Sequence, residues 1–257
     1  MIPLKDNIPT RVFPIVTVVI ILINVAVYFG VEKGGWSAPS NDKAVVEYSF
    51  IPYELSHQDQ ECAQVGSKIG CGTKQELVDA GATDTSQPNV LVTIFTAMFM
   101  HGSFLHIAGN MLFLWIFGNN VEDSMGRLKY TLFYLAGGIA ATLAQYFSST
   151  DAVVPNLGAS GAIAAVLGGY ALLYPRARVI TLIFIIFFIT VIELPALLVL
   201  GAWFVLQALD AASQPVGGGG VAVWAHIGGF VFGLIAIKLF ASRYDPNYER
   251  HDRIPVY

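Results

Sequence analysis

The chain is 257 residues long, 55% hydrophobic and only 12% charged, with a formal net charge of -4. A soluble domain carries about 25% charged residues, so this composition excludes one and reads as a polytopic membrane protein. The 14 basic residues are scattered, or fall in short clusters beside apolar runs, which leaves no nucleic-acid-binding footprint.

A membrane-spanning helix needs about 20 mostly apolar residues. Six segments meet that measure: 13–31, 95–117, 130–147, 157–174, 194–209 and 221–240. The expected fold is therefore all-α, a single domain over residues 1–257 with six transmembrane helices, a long first loop at 32–89 and a tail at 241–257. No small-residue cleavage site follows the first apolar run, so it is read as an uncleaved span and not as a signal peptide. The N-terminus is also too poor in Arg and Ser for an organelle transit peptide. A prokaryotic cell membrane is the expected address.

Short-loop charges set the orientation. Lys5 and Arg11, Arg127 and Lys129, Arg176 and Arg178, and Lys238, Arg243, Arg250 and Arg253 all fall on one side, whereas the alternate loops 148–156 and 210–220 hold no Lys or Arg. The positive-inside rule then puts both termini in the cytoplasm and the 32–89 loop outside. Its patch Tyr48-Ser49-Phe50-Ile51-Pro52-Tyr53 can rest on the membrane interface or on the protein. Cys62 and Cys71 share that oxidising side, so a disulfide between them is expected, with two unpaired thiols as the alternative.

The stretch 179–209 is nearly uncharged, too long for one upright span and too short for two. Part of it must tilt strongly or lie at the cytoplasmic interface. Glu193-Leu194-Pro195 offers the break, because Pro suits a first helical turn and a carboxylate suits a helix N-terminus. The fifth span is accordingly started near Leu194, with Glu193 near the cytoplasmic interface; a proton-relay carboxylate within the membrane is the other reading.

The second, fourth and sixth spans enter from outside, and each carries polar residues near that end. They are His101, His106 and Asn110, then Ser160, then His226. At 1.5 Å per residue they fall within roughly the first 5 to 15 Å of depth. His106 and Asn110 share a helix face at i and i+4. His226, Gly229 and Gly233 place an imidazole above a groove of bare backbone, which can accept the row Ser160, Ala164 and Gly168. Gly158 and Gly161 flank the serine and let other groups come close. These are the parts of an acyl-transfer site: Ser160 as nucleophile, His226 as base, and His106, Asn110 and the Ser160 amide as oxyanion donors. No third carboxylate is at hand, so the pattern is a dyad. Each part has a bland counterpart. A histidine or asparagine in a membrane often only ties helices together, and Gly161, Ala165 and Gly169 form an ordinary small-residue packing row.

The chain resembles the rhomboid intramembrane serine proteases. The resemblance is carried by His101-Gly102-Ser103-Phe104-Leu105-His106 through Asn110, by Gly158-Ala159-Ser160-Gly161, and by Ala225-His226 with Gly229 and Gly233. Trp115 to Asp123 and Phe50-Ile51-Pro52 are also similar, and the likeness runs from about Phe50 to Phe240. It implies a six-helix core, a Ser160–His226 dyad and an oxyanion site at His106, Asn110 and the Ser160 amide. His101 matches a position associated with a polar, water-holding cavity. The implied substrates are transmembrane segments of other proteins, cut near their outer end in the lipid bilayer, with no metal or organic cofactor; the oligomeric state stays open. Some family members carry an aromatic residue one turn after the serine, where this chain has Ala164, so His226 must be oriented by something else. A catalytically silent relative that binds membrane clients is one alternative, and a small transporter another. The intact Ser160 and His226 speak against the first, and the lack of an internal repeat of broken helices against the second.

Overall fold

The computed structural model describes residues 2–36, 42–82, 85, 87–185, 188–213 and 222–241. The tail beyond residue 241 and residues 214–221 of the last loop, with Arg243, Arg250 and Arg253, lie outside the described residues. Strand β1 (Ile2–Asp6) leads into helix α1 (Ile15–Gly30). The first loop is itself folded. Helices α2 (Asp42–Tyr48) and α3 (Pro52–Ser56) precede a hairpin of β2 (Glu61–Val65) and β3 (Lys68–Gly72), closed by α4 (Lys74–Asp79). Thr73 and Glu76 cap α4 reciprocally, satisfying N–H groups that the helix start leaves open.

The expected second span, 95–117, divides differently. Helix α5 (Val90–Thr96) and a 3-10 turn at Ala97–Phe99 are bent by 79° from the helical rod that begins at Phe104. Ser103 caps that new helix through the His106 N–H. Helix α6 (Phe104–Phe113) continues through a π-helical stretch, Leu114–Gly118, into α7 (Asn119–Met125). The rod thus runs from Phe104 to Met125. Gly126, at φ +79°, turns the chain into α8 (Arg127–Ser148).

Helix α9 (Ser160–Leu173) is made of Gly, Ala and aliphatic residues on all sides and is buried from Gly161 to Ala171. A helix apolar all round belongs at the centre, and α9 sits there. Two further strands follow, β4 (Arg178–Ile185) and β5 (Phe188–Pro195), then α10 (Ala196–Ser213) and α11 (Val223–Phe240). The awkward 179–209 stretch therefore opens as a β-hairpin, with β1 pairing antiparallel to β4 as a third strand. Its β-branched residues suit strands. Glu193 lies within β5, facing Arg178 at 3.8 Å, and the helix starts at Ala196.

Among the described residues the greater part is helical, which fits the expected all-α class, with two small antiparallel sheets beside the helices. Among the described residues α11 is long and apolar enough to cross a membrane by itself, and the bent α5 to α7 pair makes a second candidate. Segments Ile15–Gly30, Ser160–Leu173 and Ala196–Leu206 are shorter apolar helices.

Polar groups anchor the end of the bundle that carries β1. The Glu122 carboxylate accepts the Val16 N–H (3.0 Å) and the Thr17 N–H and hydroxyl (2.8 Å each), neutralising the open donors at the start of α1. Asp123 pairs with Arg11 at 3.0 Å. Asp6 accepts the Tyr170 hydroxyl and the Asn120 amide, each at 2.6 Å, and burial pushes its carboxyl up to about 7.

A carboxyl whose folded pKa is raised stabilises the fold fully below its unfolded value of 3.8 and loses that contribution as pH rises through about 7. The unfolding midpoint should therefore fall between about pH 5 and pH 8, and Asp6→Asn should flatten that fall. Thermal unfolding in detergent at the two pH values measures it; an unchanged slope in the variant would remove Asp6 from this role.

Candidate active site

Helix α9 begins at Ser160 because the residues before it cannot continue a helix. Gly158 has φ +123°, a backbone state that side chains strongly disfavour, and its N–H donates to Ala97 O at 2.8 Å. A β-carbon at Gly158 would lie 3.0 Å from Cε1 and Nε2 of His106 and 3.5 Å from Ser160 Oγ. The glycine thus lets the His106 ring sit beside the serine. As the first residue of α9, Ser160 has an amide with no acceptor inside its own helix.

His226 lies in the first turn of α11. Its Nε2 is 2.6 Å from Ser160 Oγ, within hydrogen-bond distance. The two helices reach this distance by touching through their backbones. A β-carbon on Gly229 would run into the Gly161 carbonyl, one on Gly233 into the Ala165 carbonyl, and one on Gly168 into the Phe230 carbonyl. Gly161 itself faces α8, where a β-carbon would meet that of Ala141. The Gln145 side-chain oxygen accepts the Ala225 N–H at 3.2 Å and steadies the start of α11.

Ser160, His226, His106 and Asn110 line one cavity of about 690 Å³, with Ile163, Leu167 and Trp203 on its apolar side. This volume is in the range of small-molecule and peptide-side-chain pockets. His101 stands behind the cavity wall. It is fully buried, its Nε2 is 2.9 Å from Asn110 Nδ2, and its ring meets His106 edge-on at 5.0 Å.

The folded first loop supports the same region from outside. Cys62 and Cys71 stand opposite each other on β2 and β3 and are joined by a disulfide. Glu54, whose carboxyl burial raises to about 7, accepts the Cys62 N–H at 2.9 Å. Phe50 and Ile51 are fully buried, so the Tyr48–Tyr53 patch rests on the protein. Phe50 pairs through both backbone bonds with Asn156 (3.0 and 2.8 Å), and the Tyr53 N–H donates to Ala152 O at 3.1 Å. The segment leading to Gly158 is held along its length by this module.

Two residues near the site carry no motif. Trp203 of α10 packs its ring against His226, with centroids 5.6 Å apart, whereas Ala164, one turn after the serine, offers no ring. Glu32, fully buried, accepts the His101 N–H at 2.7 Å. The one available signal for Glu32 was an acid directly after an apolar run; for Trp203 there was none.

A family model, Rhomboid domain, matches residues 88–243. Rhomboid protein 1, mitochondrial, of Saccharomyces cerevisiae is 30% identical over 151 residues, covering 56% of this chain and 40% of the yeast protein. Presenilin-associated rhomboid-like protein A, mitochondrial, of Danio rerio is 34% identical over 139 residues, 53% of this chain and 34% of its own length. Rhomboid protease GluP of Bacillus subtilis is 41% identical over 81 residues, 32% of this chain and 15% of its own length. The matched regions thus make up well under half of each of these relatives.

Gly158→Ala should destabilise the protein by about 1–3 kcal/mol, the cost of a strained backbone state, with the new methyl also crowding His106. Thermal unfolding beside the wild type checks this, and an equal midpoint would show that the turn relaxes freely.

Proposed function

Because the chain belongs to the rhomboid family, we propose that it is an intramembrane serine protease in which Ser160 and His226 do the chemistry. The observation that carries the reading is the 2.6 Å contact between Ser160 Oγ and His226 Nε2 in a cavity that also holds His106 and Asn110. As Oγ attacks a peptide carbonyl carbon, its proton passes to Nε2. The oxyanion that forms is met by donors from the Ser160 amide, His106 and Asn110. His226 then gives the proton to the leaving amine, leaving an acyl-serine. Water, deprotonated by the same nitrogen, attacks that ester and releases the second product with the serine restored.

On this reading six helical segments cross the bilayer: α1, the α6–α7 rod, α8, α9, α10 and α11, with both termini cytoplasmic and the cavity opening to the other side. At 14 residues α9 is about 21 Å long, shorter than the roughly 30 Å hydrocarbon core. Ser160 at its end therefore lies below the surface yet within reach of water from the cavity. The exposed Ile189, Val191 and Ile192 of β5 suit the cytoplasmic interface. Substrates are transmembrane segments of membrane proteins, unwound locally so that a carbonyl becomes accessible. Members of the family are integral membrane proteins; the relatives of Saccharomyces cerevisiae and Danio rerio are mitochondrial and that of Bacillus subtilis bacterial, so the expected prokaryotic cell membrane is not supported over a mitochondrial one.

Detergent-purified protein should label with a fluorophosphonate, and labelling should vanish in Ser160→Ala and in His226→Ala. Labelling that persists in Ser160→Ala would refute the assignment. A wild type that neither labels nor cleaves a generic transmembrane substrate in liposomes would point to a silent relative. Trp203→Ala should lower kcat about tenfold, since the base loses the ring packed against it, and raise KM as well, since Trp203 also lines the cavity; Trp203→Phe should recover most of both.

A further inference from the structure

An asparagine serves an oxyanion only if its N–H groups, not its carbonyl, face the reacting centre. The two ends of the amide are nearly the same shape, so something must choose between them. In this chain the choice lies with the His101 ring. Its Nε2 is 2.9 Å from Asn110 Nδ2. A ring nitrogen without a proton accepts one amide hydrogen and leaves the second for the cavity that Asn110 lines. A protonated Nε2 would instead attract the amide oxygen and turn the N–H groups away. The tautomer of His101 therefore sets the sign of the Asn110 dipole.

The position of that ring in turn depends on how His101 is held. His101 lies in the non-helical break before α6, where its backbone N–H has no helical acceptor. Glu32, just beyond the end of α1, supplies one through Oε1 at 2.7 Å. Both residues are fully buried. Among the described residues Glu32 Oε2 and His101 Nδ1 have no hydrogen-bond partner, so the carboxyl holds the His101 backbone and does not touch the ring nitrogen. The bond to Oε1 fixes the His101 backbone, and with it the place from which Nε2 meets the Asn110 amide. Burial raises the Glu32 carboxyl to about 7, yet in either charge state it keeps an oxygen able to accept.

We propose that Glu32 is a positioning residue that acts through His101 to hold the Asn110 amide with its N–H groups toward Ser160. This rests on the reading of Asn110 as an oxyanion donor. It also gives the first loop's opening residue a part in the chemistry at a distance from any substrate.

The test compares wild type, Glu32→Leu, Glu32→Gln, Asn110→Ala and the double variant Glu32→Leu with Asn110→Ala, all in detergent, with thermal unfolding as the folding control. Losing one oxyanion donor costs on the order of 10²-fold in kcat. Glu32→Leu, which loosens that donor, should lower kcat about tenfold with KM nearly unchanged. Glu32→Gln still offers an oxygen to the His101 N–H and should stay within about threefold of wild type. In the Asn110→Ala background Glu32→Leu should cost less than about twofold, because the group it positions is already gone. Nitrogen-15 NMR of the histidine rings should find the proton of His101 on Nδ1 in the wild type and redistributed in Glu32→Leu. Full turnover in Glu32→Leu, or an equal loss in both backgrounds with the tautomer unchanged, would overturn the proposal. If Glu32→Leu does not fold, Glu32→Asp, one methylene too short for the same bond, takes its place in every comparison. A wild type without turnover would defeat the protease reading separately, and the tautomer comparison would then decide the Glu32 role alone.

Discussion

Almost no side chains lie in the seam between α9 and α11. Gly168, Gly229 and Gly233 each bring a backbone against a carbonyl of the facing helix, so the helices are as close as two helices can be. With nothing compressible between them, the offset of their ends is fixed by hard contact and not by rotamers. Ser160 stands at the first residue of one helix and His226 in the first turn of the other. Their hydrogen bond is thus set by main chain, and the rest of the site is built around it: Gly158 brings in the His106 ring, and Trp203 closes over His226 from α10.

A second regularity concerns the buried acids. Glu122 accepts the N–H groups of Val16 and Thr17 at a helix start, Glu32 that of His101 in a break, and Glu54 that of Cys62. The Cα atoms of Cys62 and Cys71 are 4.0 Å apart, the spacing of a pair whose N–H groups point away from the partner strand. In each case a carboxylate meets a donor that secondary structure leaves over. An unmet buried donor costs about 1–3 kcal/mol, so these acids set where non-helical backbone can exist inside the molecule. Those irregular places are where the site is made.

Much of this was legible in the sequence, for physical reasons. Glycines at helical spacing announce close packing. Counting residues along helices put His106, Ser160 and His226 near one another, and they line one cavity; the small residues around Ser160 mark a place of close approach. What could not be read came from long-range pairing. The strands at 178–195 have the apolar, β-branched content of a membrane segment, and only pairing with β1 distinguishes them. The break at 100–103 is hidden inside one apolar run, because its stop signal is a Ser103 cap that looks like any serine. Trp203 and Glu32 meet partners 23 and 69 positions away in the chain, which no local pattern encodes.

The pairing of β1 with β4 also joins parts of the chain that lie far apart in sequence. Asn7 and Arg178, joined by a hydrogen bond at the end of this pairing, are 171 residues apart. β5 runs without a loop into α10, whose Trp203 covers His226. Closing a chain segment of that length costs entropy that the β1–β4 hydrogen bonds must offset. The ring that covers His226 is thus braced, through β5 and α10, by a strand far from it in sequence. A change in β1 would be felt at His226 without touching the cavity.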